Sequence, residues 1–72
     1  MQSKLIKNTL IVYLEGRIDS TNAAETEKAL MALIEKHGDK ELVIDAQGLQ
    51  YISSAGLRVL LKVRKYKKTN LL

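Results

Sequence analysis

Two adjacent serines, Ser53 and Ser54, are the residues whose type and setting best suit chemistry. They lie in the segment Tyr51–Leu57, between the apolar run Leu42–Ile44 and a second apolar run that begins near Leu57. The first run is typical of a strand and the second of a helix, so the hydroxyls are predicted where a loop becomes a helix. A helix start offers unpaired backbone N–H groups and a partial positive charge. A serine there could cap the helix, bind an anion or accept a phosphate.

The sequence offers no partner for a catalytic serine. Acyl transfer needs a base within hydrogen-bond reach of the hydroxyl, and the single histidine, His37, is predicted at the opposite end of the sheet from Ser54. There is no cysteine and no spacing of metal ligands. Gly48 and Gly56 do not form a phosphate-binding loop. We therefore expect no enzymatic activity, no metal site and no cofactor.

Length and composition indicate one domain over residues 1–72. A hydrophobic fraction of 46% is typical of globular proteins. The amino-terminal residues do not have the pattern of a signal peptide, and no apolar run approaches the ~20 residues of a membrane span. We expect a soluble, cytoplasmic protein.

Charge is divided unevenly along the chain. Residues 1–45 carry six basic and eight acidic residues, whereas residues 46–72 carry six basic residues and no acid. Such a basic segment could contact nucleic acid or an acidic partner. Tyr66 is the only aromatic residue among these charges, and no groove-reading motif is present. A solvated helix face is therefore favoured over nucleic-acid binding.

Two strands are predicted near the amino terminus. They cover Lys4–Lys7 and Thr9–Glu15, where β-branched and apolar residues dominate. Asn8 marks a tight turn, so the pair should be an antiparallel hairpin. Gly16 is predicted to end the second strand.

A helix is predicted after the cluster Asp19–Asn22, whose side chains all favour N-cap positions. It should continue to about Lys36, with Gly38 just beyond its end. The residues on its apolar stripe are Ala23, Leu30, Leu33, Ile34 and His37.

The second half of the chain predicts a β-α-β crossover. Glu41–Asp45 reads as a buried strand parallel to the second one, followed by a loop over Gln47–Ile52. A second helix is predicted from Ser54 to Lys68, and Leu71–Leu72 resemble the start of another strand. The helix residues expected in the core are Leu57, Leu60, Leu61 and Val63. The order β-β-α-β-α indicates an α/β fold.

Two motifs in this order resemble a known family. The segment Asp45–Leu61 is similar to the signature of the STAS domain, and more specifically to that of bacterial anti-sigma factor antagonists. Leu14–Ala23 matches the family's G-x-[IL]-D motif before the first helix. The resemblance covers residues 9–68. It implies a STAS-like β-β-α-β-α unit, a mixed sheet with helices packed on one face, without the family's last strands and helices.

The resemblance also implies a function, which is partner switching. An unphosphorylated antagonist binds an anti-sigma factor, often a serine kinase, and phosphorylation of the antagonist's serine ends that binding. Ser54 matches the phosphoacceptor. Ser53 stands where the family has aspartate, and Ala55 stands where it has a hydroxyl residue. A non-phosphorylated scaffolding subunit of a transporter or signalling complex is the alternative within the same fold.

The same resemblance implies a partner-binding surface around Ser54. Its predicted residues are Asp19, Ser20, Ser53, Ala55, Gly56, Leu57 and Arg58. A complete family domain continues after the second helix, whereas this sequence stops where the fourth strand begins. An exposed apolar face and an unpaired strand edge favour association. We therefore expect either a fragment or a homodimer formed by edge pairing or domain swapping.

Overall fold

A computed structural model describes residues 1–72 and contains one mixed sheet and two helices. The elements are β1 (Gln2–Ile6), β2 (Thr9–Ile18), α1 (Ala23–Lys36), β3 (Glu41–Ile52), α2 (Ser54–Tyr66) and β4 (Thr69–Leu71). The sheet order is β1-β2-β3-β4. Strand β2 is antiparallel to β1 and parallel to β3, and β4 is parallel to β3. The predicted β-β-α-β-α order and mixed sheet are confirmed, and the start of a fourth strand is present.

The hairpin turn between β1 and β2 consists of Lys7 and Asn8. Lys7 adopts a left-handed backbone conformation with φ of 53°. The carbonyl of Asn8 accepts a hydrogen bond from the backbone N–H of Glu41 at 2.8 Å. The turn therefore closes the predicted hairpin and also anchors the first residue of β3.

Strands β2 and β3 are both longer than predicted. Gly16 does not end β2, because its positive φ of 73° lets the strand continue to Ile18 through a change of register. The loop predicted over Gln47–Ile52 is instead the second half of β3. Gly48 allows this close pairing, since a Cβ atom there would stand 3.2 Å from Cγ of Glu15. Backbone hydrogen bonds to β2 hold this segment as a strand, although its polar and glycine residues do not favour strand structure.

Both helices cover the same face of the sheet. Alternate residues of β2 and β3 point toward them, and these side chains form one cluster with the buried residues of the helices. The other face carries half-buried side chains such as Ile11 and Val43, and no helix covers it. The buried apolar residues are Leu10, Val12, Leu14, Ile18, Ala23, Leu30, Ile34, Leu42, Ile44, Val59 and Val63. The aliphatic core holds the carboxyl ends of β2 and β3 in fixed positions beneath the two helices.

Helix α1 buries most of its predicted stripe. Ala23, Leu30 and Ile34 lie in the core, while Leu33 and His37 are half-buried. Lys67, the residue that follows α2, contacts the chain just beyond the carboxyl end of α1. Its Nζ donates a hydrogen bond to the carbonyl of Gly38 at 2.9 Å. A cation at this position stabilises the unpaired carbonyls of the helix end and links the ends of the two helices.

The buried face of α2 differs from the predicted one. Val63 is buried as predicted, and Leu60 is half-buried against the core. Leu57 and Leu61 are instead 49% and 58% exposed, and Val59 is buried although it was not predicted to be. The helix also ends at Tyr66 rather than at Lys68. Gly56 explains the difference, because its lack of a side chain lets the first turn of α2 lie against the sheet. That contact turns the positions three and seven residues later toward the core.

We expect Gly56→Ala to lower the free energy of unfolding by about 1–3 kcal/mol, the usual cost of overpacking. An added Cβ would stand 2.7 Å from Cγ1 of Ile52 and 2.8 Å from Cγ2 of Ile18, which is one of the core residues. Urea unfolding followed by circular dichroism measures the change. Gly38→Ala is the matched control, since its Cβ would meet nothing closer than 3.7 Å. Equal stability of the two variants would contradict this account of the packing.

Candidate functional site

The candidate site forms where the two parallel central strands end. Ile18 and Ile52, the last residues of β2 and β3, are partners in the ladder. One residue further, the N–H of Ser53 donates to the carbonyl of Ile18 at 2.8 Å. The turns that follow the two strands therefore lie side by side. In this way the sheet brings Asp19 next to the serine pair, from a segment more than thirty residues earlier in the chain.

The two serines occupy different positions with different contacts. Ser53 is the N-cap of α2, and its Oγ accepts a hydrogen bond from the N–H of Gly56 at 3.3 Å. Its carbonyl accepts from the N–H of Leu57 at 2.9 Å. Ser54 is the first helical residue, is exposed, and its hydroxyl makes no hydrogen bond within the chain. The cap and the free hydroxyl are thus separate side chains, a division that the sequence alone left open.

Asp19 is the first residue of the neighbouring turn, and its carboxylate accepts hydrogen bonds. Its Oδ1 accepts from Oγ1 of Thr21 at 2.5 Å and from the N–H of Thr21 at 2.9 Å. These two bonds, the side-chain bond first, hold the pKa of Asp19 below its ordinary value, and the positive charge of Arg17 adds to the effect. Asp19 is therefore an ionised, hydrogen-bonded side chain that directly follows Ile18, whose carbonyl accepts from the N–H of Ser53.

Asn22 holds the same turn together, although the sequence indicated it only as a possible cap. Its Oδ1 accepts from the N–H of Asp19 and its Nδ2 donates to the carbonyl of Arg17, both at 2.9 Å. Its side chain makes no capping bond to α1, because the amide is already used by the turn. The prediction of a side-chain cap within Asp19–Asn22 was therefore wrong for Asn22. The residue positions Asp19 instead.

Arg17 and Tyr51 form a contact that sequence reasoning missed. They are partners in the β2–β3 ladder, and the guanidinium carbon of Arg17 lies 4.4 Å from the centre of the Tyr51 ring. A cation–π contact at an exposed position is worth about 0.5–1 kcal/mol. The sequence predicts a loop at Tyr51, and it therefore predicts no cross-strand partner for this residue. The contact joins the two strands directly before the two turns.

The other predicted contact residues differ in accessibility. Ser20, Leu57 and Arg58 are exposed, Ala55 is half-buried, and Gly56 is buried against the sheet. The small size of Gly56 thus serves packing. The roles of all these residues in partner binding remain predictions.

The only histidine is far from the serines, as the sequence predicted. His37 follows α1 at the start of the connection to β3, whereas Ser53 follows the end of that strand, so the whole length of β3 separates them. The structure contains no group of three or more His, Cys, Asp or Glu side chains placed to hold a metal ion.

The amino-terminal end of α2 has an electropositive setting. Its first turn contains no acidic side chain. No acid of the helix itself therefore offsets its unpaired N–H groups and the positive end of its dipole. A negative group on Ser54 would meet favourable electrostatics at this helix end.

The fold and the site define a small mixed α/β domain with an exposed serine at the start of its second helix. A family model for the STAS domain matches residues 1–70. The chain belongs to the STAS domain family.

The chain is 47% identical over 60 residues to BtrV of Bordetella bronchiseptica, a protein named as an anti-sigma factor antagonist. The matched residues are 83% of this chain and 51% of BtrV, so the chain spans about half the length of that relative.

Two solved structures share the fold. The unphosphorylated form of the anti-sigma factor antagonist SpoIIAA has a TM-score of 0.72 and 16% identity, over 97% of this chain and 69% of that one. The crystal structure of Mglu has a TM-score of 0.79 and 16% identity, over 97% of this chain and 18% of that one. These likenesses confirm the STAS fold.

Neither helix is long and apolar enough to cross a membrane.

We expect Thr21→Val to raise the pKa of Asp19 toward its ordinary value, because the variant lacks the hydroxyl that donates to the carboxylate. The lowered pKa makes ionised Asp19 a stabilising group at neutral pH. That contribution is lost as the pH falls through the lowered folded-state pKa. Carboxyl carbon chemical shifts, followed in an NMR pH titration, measure the pKa of Asp19 in the unmodified protein and in the variant.

Thr26→Val is the control for this titration. The hydroxyl of Thr26 donates to the carbonyl of Asn22 and does not touch Asp19, so its removal should leave the pKa of Asp19 unchanged. An ordinary pKa for Asp19 in the unmodified protein would refute the proposed hydrogen-bond arrangement.

Proposed function

We propose that this chain is an anti-sigma factor antagonist that is switched off by phosphorylation of Ser54. In its unphosphorylated form it binds an anti-sigma factor of the serine-kinase type and releases the sigma factor. The partner surface comprises the turn that holds Asp19 and Ser20, together with the start of α2. The chain acts as a binding module in the cytoplasm, with residues 1–72 as one domain.

The free hydroxyl of Ser54 is the observation that carries this proposal. It is exposed and unbonded, while Ser53 supplies the helix cap. A kinase could therefore use the Ser54 hydroxyl without first breaking a bond that holds α2. A phosphate there would add a charge of about −1.5 to −2 at neutral pH. The helix end favours that charge, so the fold would survive while the surface seen by a partner changes.

Charge also accounts for the proposed release of the partner. Asp19 lies in the turn beside Ser53, so phosphorylation would place a second, larger negative charge near an existing one. A partner surface that complements one carboxylate would then face a strongly acidic patch. Like-charge contacts at an interface cost several kcal/mol, enough to end a binding event.

The identity of the partner rests on relatives. BtrV and SpoIIAA are both described as anti-sigma factor antagonists, and BtrV shares nearly half of its aligned residues with this chain. The departure at residue 53 bears on kinase recognition, since the resemblance implies an aspartate there. Serine retains the capping bond that an aspartate would also make, so the helix start keeps its geometry without the acidic charge.

We expect Ser54→Ala to abolish phosphorylation by the cognate anti-sigma kinase and to leave binding to that kinase intact. The reason is that the variant removes the acceptor oxygen and no hydrogen bond of the fold. Labelling with radioactive ATP measures the first effect, and co-purification the second. Ser54→Asp should weaken binding through its added charge.

Residue 53 provides the matched controls. Ser53→Asn keeps a capping side chain and should be labelled like the unmodified protein. Ser53→Asp keeps the cap and restores the acid implied by the resemblance, so comparing the two isolates the effect of charge on the kinase. Labelling of Ser54→Ala at the level of the unmodified protein would refute the assignment of the phosphoacceptor.

A homodimer is a further part of the proposal. Strand β1 is an edge strand whose residues are all exposed, including Leu5 at 48%. Unpaired backbone groups on such an edge can pair with the same edge of a second copy. The opposite edge, at β4, lies next to the strongly basic α2, where a second copy would bring like charges together. We therefore place the contact at β1.

We expect light scattering to show a dimer that dissociates on dilution. Leu5→Lys should shift the equilibrium to monomer, because it places a charge on each side of the paired edge. Leu71→Lys, on the β4 edge, is the control and should leave the dimer in place. A folded monomer at high concentration would contradict the proposed contact.

A further inference from the structure

Arg58 follows Ser54 by four residues on α2, and both side chains are exposed. Residues four apart on a helix lie on the same face, with their Cβ atoms about 5–6 Å apart. Helical side chains also lean toward the amino terminus, so a long side chain at residue 58 can extend back to the turn that contains Ser54. A group attached to the Ser54 hydroxyl would therefore lie within reach of the Arg58 guanidinium.

The charge of Arg58 is unpaired in the unphosphorylated chain. The two ion pairs of the structure are Lys40–Asp39 and Lys62–Glu27, so no carboxylate lies within 4.0 Å of the Arg58 guanidinium. The first turn of α2 also contains no acidic side chain that could compete for it. Arg58 is therefore available to a new negative group on its own face of the helix.

No other cation of α2 has this spacing from Ser54. Side chains on a helix meet at separations of three and four residues, and the residue three after Ser54 is the apolar Leu57. The next basic residue after Arg58 is Lys62, about 12 Å from Ser54 along the helix axis, and it is paired with Glu27. Arg58 is thus the one cation of this helix that is placed to meet a group on Ser54.

We propose that the guanidinium of Arg58 pairs with the phosphate of phosphorylated Ser54. This inference rests on the proposed function, because it concerns the regulation of the same serine. Arginine suits the role, since its planar guanidinium can donate two parallel hydrogen bonds to phosphate oxygens. The order of the two groups is also the favoured one, with the acid four residues before the cation.

The pairing gives phosphorylation two effects on the partner surface. It adds negative charge at Ser54, and it withdraws the cation of Arg58, which belongs to the predicted partner-binding residues. A partner carboxylate that pairs with Arg58 in the complex would lose this cation and face the phosphate instead. Loss of an attractive charge contact and gain of a repulsive one both favour release.

The test uses the full chain with phosphoserine at position 54, made by chemical synthesis, so that no kinase is needed. Phosphorus NMR over a range of pH measures the second pKa of the phosphate, which is about 6 for ordinary phosphoserine. A nearby cation favours the doubly charged form and lowers this pKa. We expect Arg58→Gln to raise it by roughly 0.3, the effect of one exposed ion pair on a helix.

Arg64→Gln is the matched control. It removes the same type of side chain from the same helix, and residue 64 is also exposed. Residue 64 lies about 15 Å from Ser54 along the helix axis, a distance at which about 0.15 M salt screens most of the interaction. This variant should therefore leave the pKa of the phosphate unchanged. Arg58→Lys should restore part of the lowering, because it keeps the charge but not the paired donors.

A binding measurement tests the withdrawal of Arg58 from the partner. In the unphosphorylated chain, Arg58→Gln should weaken binding to the cognate anti-sigma factor several-fold, whereas Arg64→Gln should not. Unchanged binding by Arg58→Gln would overturn this part of the proposal.

Two results of the NMR titration would overturn the pairing itself. If Arg58→Gln leaves the pKa of the phosphate unchanged, Arg58 does not contact the phosphate. If Arg58→Gln and Arg64→Gln raise the pKa equally, the effect is one of net charge alone. The titration involves neither the kinase nor the anti-sigma factor. Its failure would therefore leave the labelling of Ser54 by a kinase to its own test, and a failure of that labelling would leave the titration valid.

Discussion

The parallel pairing of β2 with β3 is the constraint on which the rest of the structure depends. It carries the buried residues over which both helices pack, and it continues until Ile18 stands beside Ile52. One further backbone bond, from Ser53 to Ile18, fixes the start of α2 to the end of β2. A ladder formed by residues distant in sequence therefore sets the relative positions of the two turns that make up the candidate site.

Much of this framework could be predicted from the sequence, because strand composition, cap residues and helix periodicity are local signals. The hairpin, the crossover and the position of Ser54 at a helix start all followed from such signals. The second half of β3 did not, since the polar and glycine residues after Ala46 resemble a loop until β2 is placed beside them. The cation–π contact between Arg17 and Tyr51 was not predicted for the same reason, because Tyr51 lies in this second half of β3.

The buried face of α2 was mispredicted for a different physical reason. Leucine is more apolar than valine, so periodicity alone favoured Leu57 and Leu61 for the core. Helix rotation is decided instead by the closest approach, and only Gly56 allows a backbone so near Ile18 and Ile52. Steric fit at one residue therefore outweighed hydrophobicity at several. Leu57 and Leu61 lie instead on the side of α2 that faces β4, and about half of each side chain is exposed.

The separate contacts of Ser53 and Ser54 have a consequence for how such a protein can evolve. Substitutions at residue 53 that remove the capping oxygen lower stability, whereas substitutions at residue 54 leave the internal hydrogen bonds of the side chains untouched. Selection can therefore change the stability of the domain and the chemistry of its exposed hydroxyl in separate mutational steps. A lineage could lose or regain the exposed hydroxyl by a single change at residue 54 while the domain keeps its folded architecture.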